Sequence, residues 1–393
     1  MAKVVLAYSG GLDTSVCVKW LQEEKGLDVI TYSAELGQGL NQSELEDKSQ
    51  NAGAKKVYIE DLREEFLDEL VFSALMAGAC YEDKYFLATA LGRPLIARRV
   101  VEIAEKEGAR FVAHGCTGKG NDQVRLELAF SALNPSLEII APLREWSLKT
   151  RSDEIDYARK YNISVPVTKE SPYSIDRNIW GLSIECGELE DPWEEVPEKA
   201  YQMTVNPEDA PDKPLYLEIY FECGVPKRVD GKEYEAVELV ELLNKLGGEH
   251  GIGRTELVEN RLVGIKSREA YEAPAAAILH TSHREIESLV LDRETAHFKK
   301  LISQKFAEVI YYGMWYTPLR KALCAFVKET QEKVTGTVRV KLSGGRCEPV
   351  ARKSPNSLYD LSLATYEEGD KFDQTAAEGF IKFWGLPFRG RGK

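Results

Sequence analysis

The chain has 393 residues, of which 43% are hydrophobic and 29% are charged, as is usual for a globular enzyme. Its length exceeds that at which a single hydrophobic core stops growing, so we expect two domains and a tail. The net charge of −13 is concentrated in residues 182–250, which carry 18 acidic and 6 basic side chains. An acidic surface repels phosphate backbones, which argues against tRNA or DNA as a substrate unless a local basic groove overrides it.

Seven cysteines are scattered along the chain without a C-x-x-C pair, a pattern typical of reduced cytosolic thiols rather than a disulfide framework or zinc site. His280 and His283 are three residues apart, but no third ligand is evident, so we predict no metal site there. No signal peptide is visible. The longest uncharged apolar stretch, residues 71–81, is far shorter than the roughly 20 residues of a membrane span. We therefore predict a cytoplasmic protein without a membrane partner.

The first segment with recognisable chemistry is Ser9–Ser15, which reads Ser-Gly-Gly-Leu-Asp-Thr-Ser. It follows the apolar run Val4–Tyr8, a predicted buried strand, and precedes an amphipathic helix. Two glycines let the backbone approach an anion closely, and the free N–H groups of the helix start would face that anion. Hydroxyls add donors, and Asp13 can hold a divalent cation beside phosphate oxygens. The pattern predicts phosphate binding; the alternative is an ordinary capped strand-turn-helix corner.

This loop differs from the Walker A loop, because no lysine follows its glycines to reach the terminal phosphates. Its sequence resembles the S-G-G-x-D-S/T-S signature of the PP-loop ATP pyrophosphatases. That resemblance implies that the loop grips the β,γ-pyrophosphate while a nucleophile attacks the α-phosphorus. The expected chemistry is therefore adenylation with release of pyrophosphate, and not phosphoryl transfer to an acceptor.

Strand and helix patterns alternate through the first 165 residues, which predicts a doubly wound parallel sheet with helices on both faces. Pro94–Glu107 is a predicted helix, with Pro94 in its first turn and Gly108 as its C-cap. In such a sheet we expect the fourth strand to lie beside the first. The predicted strands are Val4–Tyr8, Val29–Ser33, Lys56–Ile59, Arg110–Ala113 and Leu137–Ala141.

A second glycine-rich loop follows the fourth predicted strand, at residues 114–125. Arg125 can bind a carboxylate, Thr117 and Asn121 can bond to the same group, and Asp122 can accept from an α-ammonium. This set suits an amino acid that carries both charges; the alternative is a flexible loop with a surface arginine. If the fourth strand neighbours the first, this loop lies beside the phosphate loop.

The second half of the chain predicts an α+β domain. Gly187–Pro214 combines five prolines with many acids and is predicted to be an irregular arm. Ser174 and Ser183 are predicted to lie in a loop around Asp176. The predicted strands are Leu215–Glu222, Val225–Val229, Val334–Lys341 and Arg346–Ala351, and the predicted helices are Ala236–Leu246, Pro274–Leu289, Arg293–Tyr311 and Pro318–Gln331.

The tail contains a short predicted helix at Gln374–Trp384, followed by a basic end. This helix carries Phe380, Ile381 and Trp384, which form too much apolar surface to leave in water. We expect it to pack on a neighbouring subunit, in a homotetramer; the alternative is that it folds back on its own domain. The predicted units are residues 1–168, which bind ATP, residues 169–364, and the tail 365–393.

Three separated motifs make the chain similar to the argininosuccinate synthase family: Ala7–Ser15, His114–Arg125, and Val258–Arg261 with Lys266–Glu272. The resemblance covers nearly the whole chain. It implies an adenine nucleotide α-hydrolase-like domain joined to a synthetase domain. It also implies ATP-dependent condensation of citrulline with aspartate, with AMP and pyrophosphate as co-products and Mg²⁺ accompanying ATP.

The same resemblance implies the binding residues. Those for ATP are Ala7, Tyr8, Ser9, Gly10, Gly11, Leu12, Asp13, Thr14, Ser15, Ala34 and Gly115. Those for aspartate are Thr117, Asn121 and Asp122. Those for citrulline are Tyr85, Thr89, Asn121, Arg125, Ser174, Ser183, Glu259 and Tyr271. We expect Asp122 to be catalytic by steering the amine proton of aspartate, and we expect no protein nucleophile.

Three further expectations accompany this assignment. Ala90 stands where other members of the family often have serine, which removes one hydroxyl from the citrulline neighbourhood. His114 is interpreted as structural, because a lone histidine is weak support for acid–base catalysis. The rival functions are a tRNA-modifying PP-loop enzyme, which would require a basic face or a cysteine pair, and a nucleotide sensor, which would not need the second polar loop.

Overall fold

The computed structural model describes residues 1–163 and 172–390. Strands and helices alternate in the first half, as the sequence predicts. A π-helical turn spans Phe66–Val71, between two short helices. The elements are, in chain order, β1 (Lys3–Ala7), α1 (Leu12–Glu23), β2 (Asp28–Glu35), α2 (Gln42–Asn51), β3 (Lys56–Asp61), α3 (Arg63–Glu65), α4 (Phe72–Ala77), α5 (Ala88–Glu107), β4 (Phe111–His114), α6 (Asp122–Leu133), β5 (Glu138–Ile140), α7 (Pro142–Glu145) and α8 (Arg151–Lys160).

The first five strands form a parallel sheet in the order β3-β2-β1-β4-β5. Val4, Val5 and Leu6 of β1 are completely buried, as an apolar run covered by helices on both faces must be. β4 pairs directly with β1, which confirms the predicted neighbours. The strand order reverses between β1 and β4, so the loops that follow these two strands meet at one edge of the sheet.

The second half contains two antiparallel sheets, in the orders β11-β12-β7-β6 and β10-β9-β8-β13-β14. The predicted fold class, a parallel α/β sheet followed by an α+β region and a C-terminal helix, is confirmed. The elements are β6 (Ser174–Asn178), β7 (Gly181–Glu185), β8 (Leu215–Glu222), β9 (Val225–Val229), β10 (Lys232–Glu233), α9 (Ala236–Glu249), β11 (Arg254–Asn260), β12 (Lys266–Glu272), α10 (Pro274–Val290), α11 (Arg293–Tyr311), α12 (Pro318–Gln331), β13 (Gly336–Ser343), β14 (Arg346–Lys353), α13 (Leu361–Ala364) and α14 (Ala376–Trp384).

One apolar core connects the two halves of the chain. Tyr32 from the parallel sheet, Leu91 from α5, and Ile278 and Phe306 from α10 and α11 belong to the same buried cluster. The predicted domain boundary between residues 168 and 169 lies outside the described residues, and the division into domains stays a prediction. No helix in the described part of the chain is both long enough and apolar enough to cross a bilayer.

Two sequence-based expectations were wrong. Helix α5 begins at Ala88, so Pro94 lies inside it and not in its first turn. The residues before Pro94, including Ala90 and Leu91, are fully buried, and this packing outweighs the cost of a proline inside a helix. Ser174 and Ser183 lie on the paired strands β6 and β7 and not in a loop.

The acidic segment and the tail follow their predictions in part. Residues 187–214 contain only three 3₁₀ turns, as expected for an irregular arm. In α14, Phe380, Ile381 and Trp384 are 62%, 66% and 62% exposed. The described part of the chain therefore does not fold back over this apolar face. The last three residues of the predicted basic end, 391–393, lie outside the described residues.

A close approach between α6 and the turn after α11 should limit substitution at Gly313. Gly313 has φ +72°, and an added Cβ would lie 2.7 Å from Cα of Arg125. Gly231 has φ +79° and open space around it. Both G231A and G313A should cost about 1–2 kcal/mol because alanine is strained in left-handed backbone. We expect G313A to lose a further 1–3 kcal/mol, roughly, from the clash.

Urea unfolding of the two variants measures this difference directly. The two glycines have nearly the same φ. Subtracting the loss of unfolding free energy in G231A from that in G313A therefore leaves the part that is due to the clash with Arg125. Equal unfolding free energies for G231A and G313A would contradict the close approach between Gly313 and Arg125.

Candidate functional site

A cavity of about 740 Å³ opens at the carboxyl ends of β1 and β4. It extends to the β11-β12-β7-β6 sheet, whose side chains form its far wall. The predicted site residues that line it are Ala7, Tyr8, Ser9, Thr14, Ala34, Tyr85, Thr89, Gly115, Thr117, Asn121, Asp122, Arg125, Ser174, Ser183, Glu259 and Tyr271. Those that do not line it are Gly10, Gly11, Leu12, Asp13 and Ser15.

The loop between β1 and α1 has the geometry of an anion-binding turn. Gly10 has φ +79°, a left-handed conformation that favours glycine, and an added Cβ would also lie 2.5 Å from Cδ1 of Leu45. Ser9 Oγ lies 3.0 Å from Thr14 Oγ1, which places two hydroxyls on the cavity wall. The N-cap residue Gly11 supplies no side-chain cap to α1. The N–H groups of its first turn are therefore available to an anion.

Asp13 and Ser15, two of the predicted phosphate-loop residues, do not line the cavity. Ser15 is buried, and its hydroxyl lies 3.0 Å from that of Tyr8. Asp13 lies beside Glu154 of α8, whose pKa is raised to about 8 by burial and by a hydrogen bond to Asp13. Among the described residues, Glu154 Oε2 is buried without a hydrogen-bond partner. A carboxyl pair of this kind offers hard oxygen ligands next to the phosphate loop.

The second loop contacts the first one. A Cβ at Gly115 would lie 2.7 Å from Cγ2 of Thr14, so a glycine is needed where the two loops meet. His114 is completely buried; its Nε2 lies 2.9 Å from Glu127 Oε1, and its Nδ1 accepts from the N–H of Cys116. These contacts agree with a structural histidine that shapes the start of the loop.

Asp122, at the start of α6, lies between two arginines. Its Oδ2 is 2.8 Å from Nη2 of Arg93, and its Oδ1 is 2.8 Å from Nη1 of Arg125. Arg93 also pairs with Asp176 of β6. Burial raises the pKa of Asp122, but the two guanidinium charges outweigh burial and hold that pKa at about 2. The Asp122 carboxylate therefore stays ionised at neutral pH.

Glu259, on β11, forms the opposite wall. It is 2% exposed. The hydroxyl of Tyr311 donates to its Oε1 at 2.5 Å, and the hydroxyl of Tyr271 lies 2.6 Å from its Oε2. Asn121 donates from Nδ2 to the Tyr311 hydroxyl at 2.7 Å. A chain of side chains thus connects the second loop to the far wall of the cavity.

Three more charged groups lie behind Glu259. Glu269 Oε2 is 2.9 Å from the Tyr271 hydroxyl, and its Oε1 is 2.7 Å from Nη2 of Arg261. Arg261 also pairs with Glu185. Burial and the charge of Glu259 raise the pKa of Glu269 to about 7, although Arg261 opposes the shift. Three carboxyl groups therefore share one guanidinium on this wall.

The remaining predicted residues form a belt along α5 and β7. The Tyr85 hydroxyl accepts the N–H of Thr89 at 3.0 Å, so it caps the start of α5, and its ring stacks on Tyr271 with centroids 4.3 Å apart. Thr89 Oγ1 lies 3.2 Å from Ser183 Oγ. Ala90 is fully buried and does not line the cavity.

Sequence reasoning missed several lining residues. Arg261 and Glu269 lie within the motifs on which the family resemblance rests, so these motifs could have identified them as site residues. Arg93 occupies an ordinary helix pattern, and Tyr311 is the last residue of a long amphipathic helix. Neither pattern distinguishes a cavity residue from a packing one.

The raised pKa of Glu269 predicts a stability that depends on pH. The native state keeps this proton up to about pH 7, whereas the unfolded chain loses it near the ordinary glutamate value of 4.5. Between these values the native state binds more protons, so its stability falls as the pH rises. E269Q removes this titration. We expect the melting temperature of E269Q minus that of the unsubstituted protein to become more positive between pH 5 and pH 8. A difference in melting temperature that does not change with pH would contradict this.

Comparisons with known proteins agree with this geometry. Residues 3–164 match the family model described as "Arginosuccinate synthase N-terminal HUP domain", and residues 173–390 match the model "Arginosuccinate synthase C-terminal domain". The argininosuccinate synthase of Acetivibrio thermocellus is 57% identical over 388 residues, which cover 98% of this chain and 96% of that protein.

Two further relatives also match over nearly the whole chain. The argininosuccinate synthase of Carboxydothermus hydrogenoformans is 57% identical over 389 residues, 99% of this chain and 97% of the relative. That of Pelotomaculum thermopropionicum is 55% identical over 391 residues, 100% of this chain and 98% of the relative. The chain belongs to the argininosuccinate synthase family.

Proposed function

We propose that this chain uses ATP to condense L-citrulline with L-aspartate, giving argininosuccinate, AMP and pyrophosphate. The observation that carries the proposal is the contact between Thr14 and Gly115, which joins the phosphate loop and the amino-acid loop at one cavity. A nucleotide sensor would not need the second loop. Family membership leaves the tRNA-modifying alternative without support.

ATP would lie along the first loop. The N–H groups of the α1 start and the hydroxyls of Ser9 and Thr14 would hold the β- and γ-phosphates. Ala34 and Gly115 line the adjoining part of the cavity and would face the rest of the nucleotide. Gly10, Gly11 and Leu12 would act through their backbone, since the two glycines have no side chain and Leu12 does not line the cavity.

The carboxyl pair of Asp13 and Glu154 fits a divalent cation held partly by phosphate oxygens. Mg²⁺ usually binds through one or two carboxylates together with substrate phosphates. No group of three or more acidic, histidine or cysteine side chains suited to a metal occurs within residues 1–163 and 172–390, so Asp13 with the phosphates is the arrangement we favour. When bound, Mg²⁺ would neutralise charge on the departing pyrophosphate.

Citrulline would lie against the far wall. Glu259 would accept from its α-ammonium, and Arg125 would bind its carboxylate. The belt of hydroxyls and Asn121 would orient the ureido group toward the α-phosphorus. The belt comprises Tyr85, Thr89, Ser174, Ser183 and Tyr271.

Aspartate would bind at the second loop through Thr117, Asn121 and Asp122. A carboxylate with a pKa of about 2 is a weak base, so Asp122 would orient the α-ammonium and steer its proton by charge rather than remove it.

The reaction then has two displacements. The ureido oxygen of citrulline attacks the α-phosphorus, and the bond to pyrophosphate breaks. The amine of aspartate next attacks the ureido carbon, and AMP leaves. Positioning of the reactants is worth about 7–11 kcal/mol in favourable cases, and we propose that it supplies most of the catalysis here.

The first prediction of this proposal concerns turnover. AMP should form from ATP only when citrulline and aspartate are both present, and S9A and D13N should lose nearly all citrulline-dependent pyrophosphate release. The matched control is D47N, because Asp47 is exposed on α2. Normal pyrophosphate release by both S9A and D13N would refute the assignment of the first loop.

We also propose a cytoplasmic homotetramer in which α14 packs on a neighbouring subunit. The exposed face of α14 and the free cysteines of the described residues support this. Sedimentation velocity should show that F380E breaks the tetramer into smaller species, since it places a charge in the apolar face. K382E, on the same helix, should leave it intact. A tetrameric F380E variant would contradict the role of this face.

A further inference from the structure

Tyr311, the last residue of α11, contacts three of the residues assigned to the two amino acids. Its side chain is completely buried and lines the cavity. Its hydroxyl bonds to Asn121 and Glu259. Its backbone carbonyl accepts from Arg125 Nε at 3.0 Å, and the Arg125 guanidinium lies 4.8 Å from the centre of its ring. The motifs quoted for the family resemblance do not include this residue.

The direction of each hydrogen bond in this chain is determined by its neighbours. The N–H of Leu262 donates to Asn121 Oδ1 at 2.9 Å, which orients the amide so that Nδ2 faces Tyr311. The Tyr311 oxygen accepts that N–H, so its single proton must go to Glu259 Oε1. Reversing one bond would break the others, because Glu259 as a carboxylate can only accept.

The ring of Tyr311 has little freedom to move. It stacks on Tyr81, with centroids 3.7 Å apart and planes 6° from parallel. The hydroxyl of Tyr81 donates to the carbonyl of Asn260, on β11, at 2.9 Å. The backbone beyond Tyr311 is equally close-packed, since Gly313 touches Arg125. A change on either side of Tyr311 is therefore transmitted through its hydroxyl and not absorbed by ring rotation.

We propose that Tyr311 is a positioning residue that couples Asn121, which is assigned to both amino acids, to Glu259, which is assigned to citrulline alone. This inference rests on the proposed function for the identity of the two amino acids. An ammonium bound at Glu259 fixes the position of its carboxylate, and the Tyr311 hydroxyl that donates to this carboxylate then holds the Asn121 amide in place. Binding of either amino acid then favours binding of the other, as linkage requires.

The direct test is Y311F, assayed by steady-state kinetics for both amino acids. Removal of the hydroxyl takes a hydrogen-bond partner from both Glu259 Oε1 and Asn121 Nδ2. We expect the KM for citrulline and the KM for aspartate both to rise roughly tenfold or more, with kcat changed far less. The control is Y312F, because the neighbouring Tyr312 does not line the cavity; it should keep both KM values.

A second variant tests the coupling without changing Tyr311. E259Q, assayed at saturating citrulline, should raise the KM for aspartate, although Glu259 is assigned to citrulline. In the double variant N121A/Y311F the KM for aspartate should be no higher than in N121A, since both act through one bond. Thermal melting of each variant confirms that it is folded.

The outcomes separate the two proposals. If the unsubstituted protein forms AMP with both amino acids but Y311F has normal KM values, the inference about Tyr311 is wrong and the function stands. An aspartate KM that is unchanged in E259Q, or effects that multiply fully in N121A/Y311F, overturns the coupling as well. If no AMP forms in the unsubstituted protein, the proposed function itself fails.

Discussion

The ion pairs of Asp122 with Arg93 and Arg125 hold the cavity in its shape. Arg93 comes from α5, Asp122 and Arg125 come from the start of α6, and Asp176, which also pairs with Arg93, comes from β6. The elements α5, α6 and β6 therefore meet at one guanidinium, that of Arg93. Breaking such a buried pair by removing one partner typically costs about 3–5 kcal/mol, because a charge is left unpaired. The parallel sheet and the β11-β12-β7-β6 sheet are thus joined by electrostatics at the point where the substrates are proposed to bind.

The sequence predicted the half of the site that depends on backbone geometry. Continuous apolar runs such as Val4–Tyr8 are typical of strands covered on both faces, and glycines after a strand allow a turn that approaches an anion closely. Those local rules were enough to place the loops after β1 and β4 side by side, as Thr14 and Gly115 now show. They also gave the exact bounds of α11 and α12, whose capping residues Asp292 and Thr317 are strong start signals.

The far wall of the cavity could not be predicted from the sequence, because its strands β11 and β12 are mostly polar. β11 and β12 read Arg-Thr-Glu-Leu-Val-Glu-Asn and Lys-Ser-Arg-Glu-Ala-Tyr-Glu, without the apolar alternation that predicts a strand. Glu259, Glu269 and Tyr271 are nevertheless buried, because the Tyr271 hydroxyl bonds to both carboxyl groups within the cavity wall. A buried glutamate is stable only with partners from other elements, and no single-chain pattern encodes such partners. Tyr311 was not predicted as a cavity residue for the same reason, because it contacts residues about 50 and 190 positions away in the sequence.

The far wall of the cavity contains more acidic than basic side chains, and this imbalance affects both the stability of the protein and the ligands that the wall can bind. Glu185, Glu259 and Glu269 share Arg261 as their nearest guanidinium, so the wall carries more negative charge than it can pair. The raised pKa of Glu269 is the consequence: the protein holds a proton rather than a third carboxylate charge. This excess of negative charge supports the proposal that a cationic head group, such as the α-ammonium of citrulline, binds at this wall.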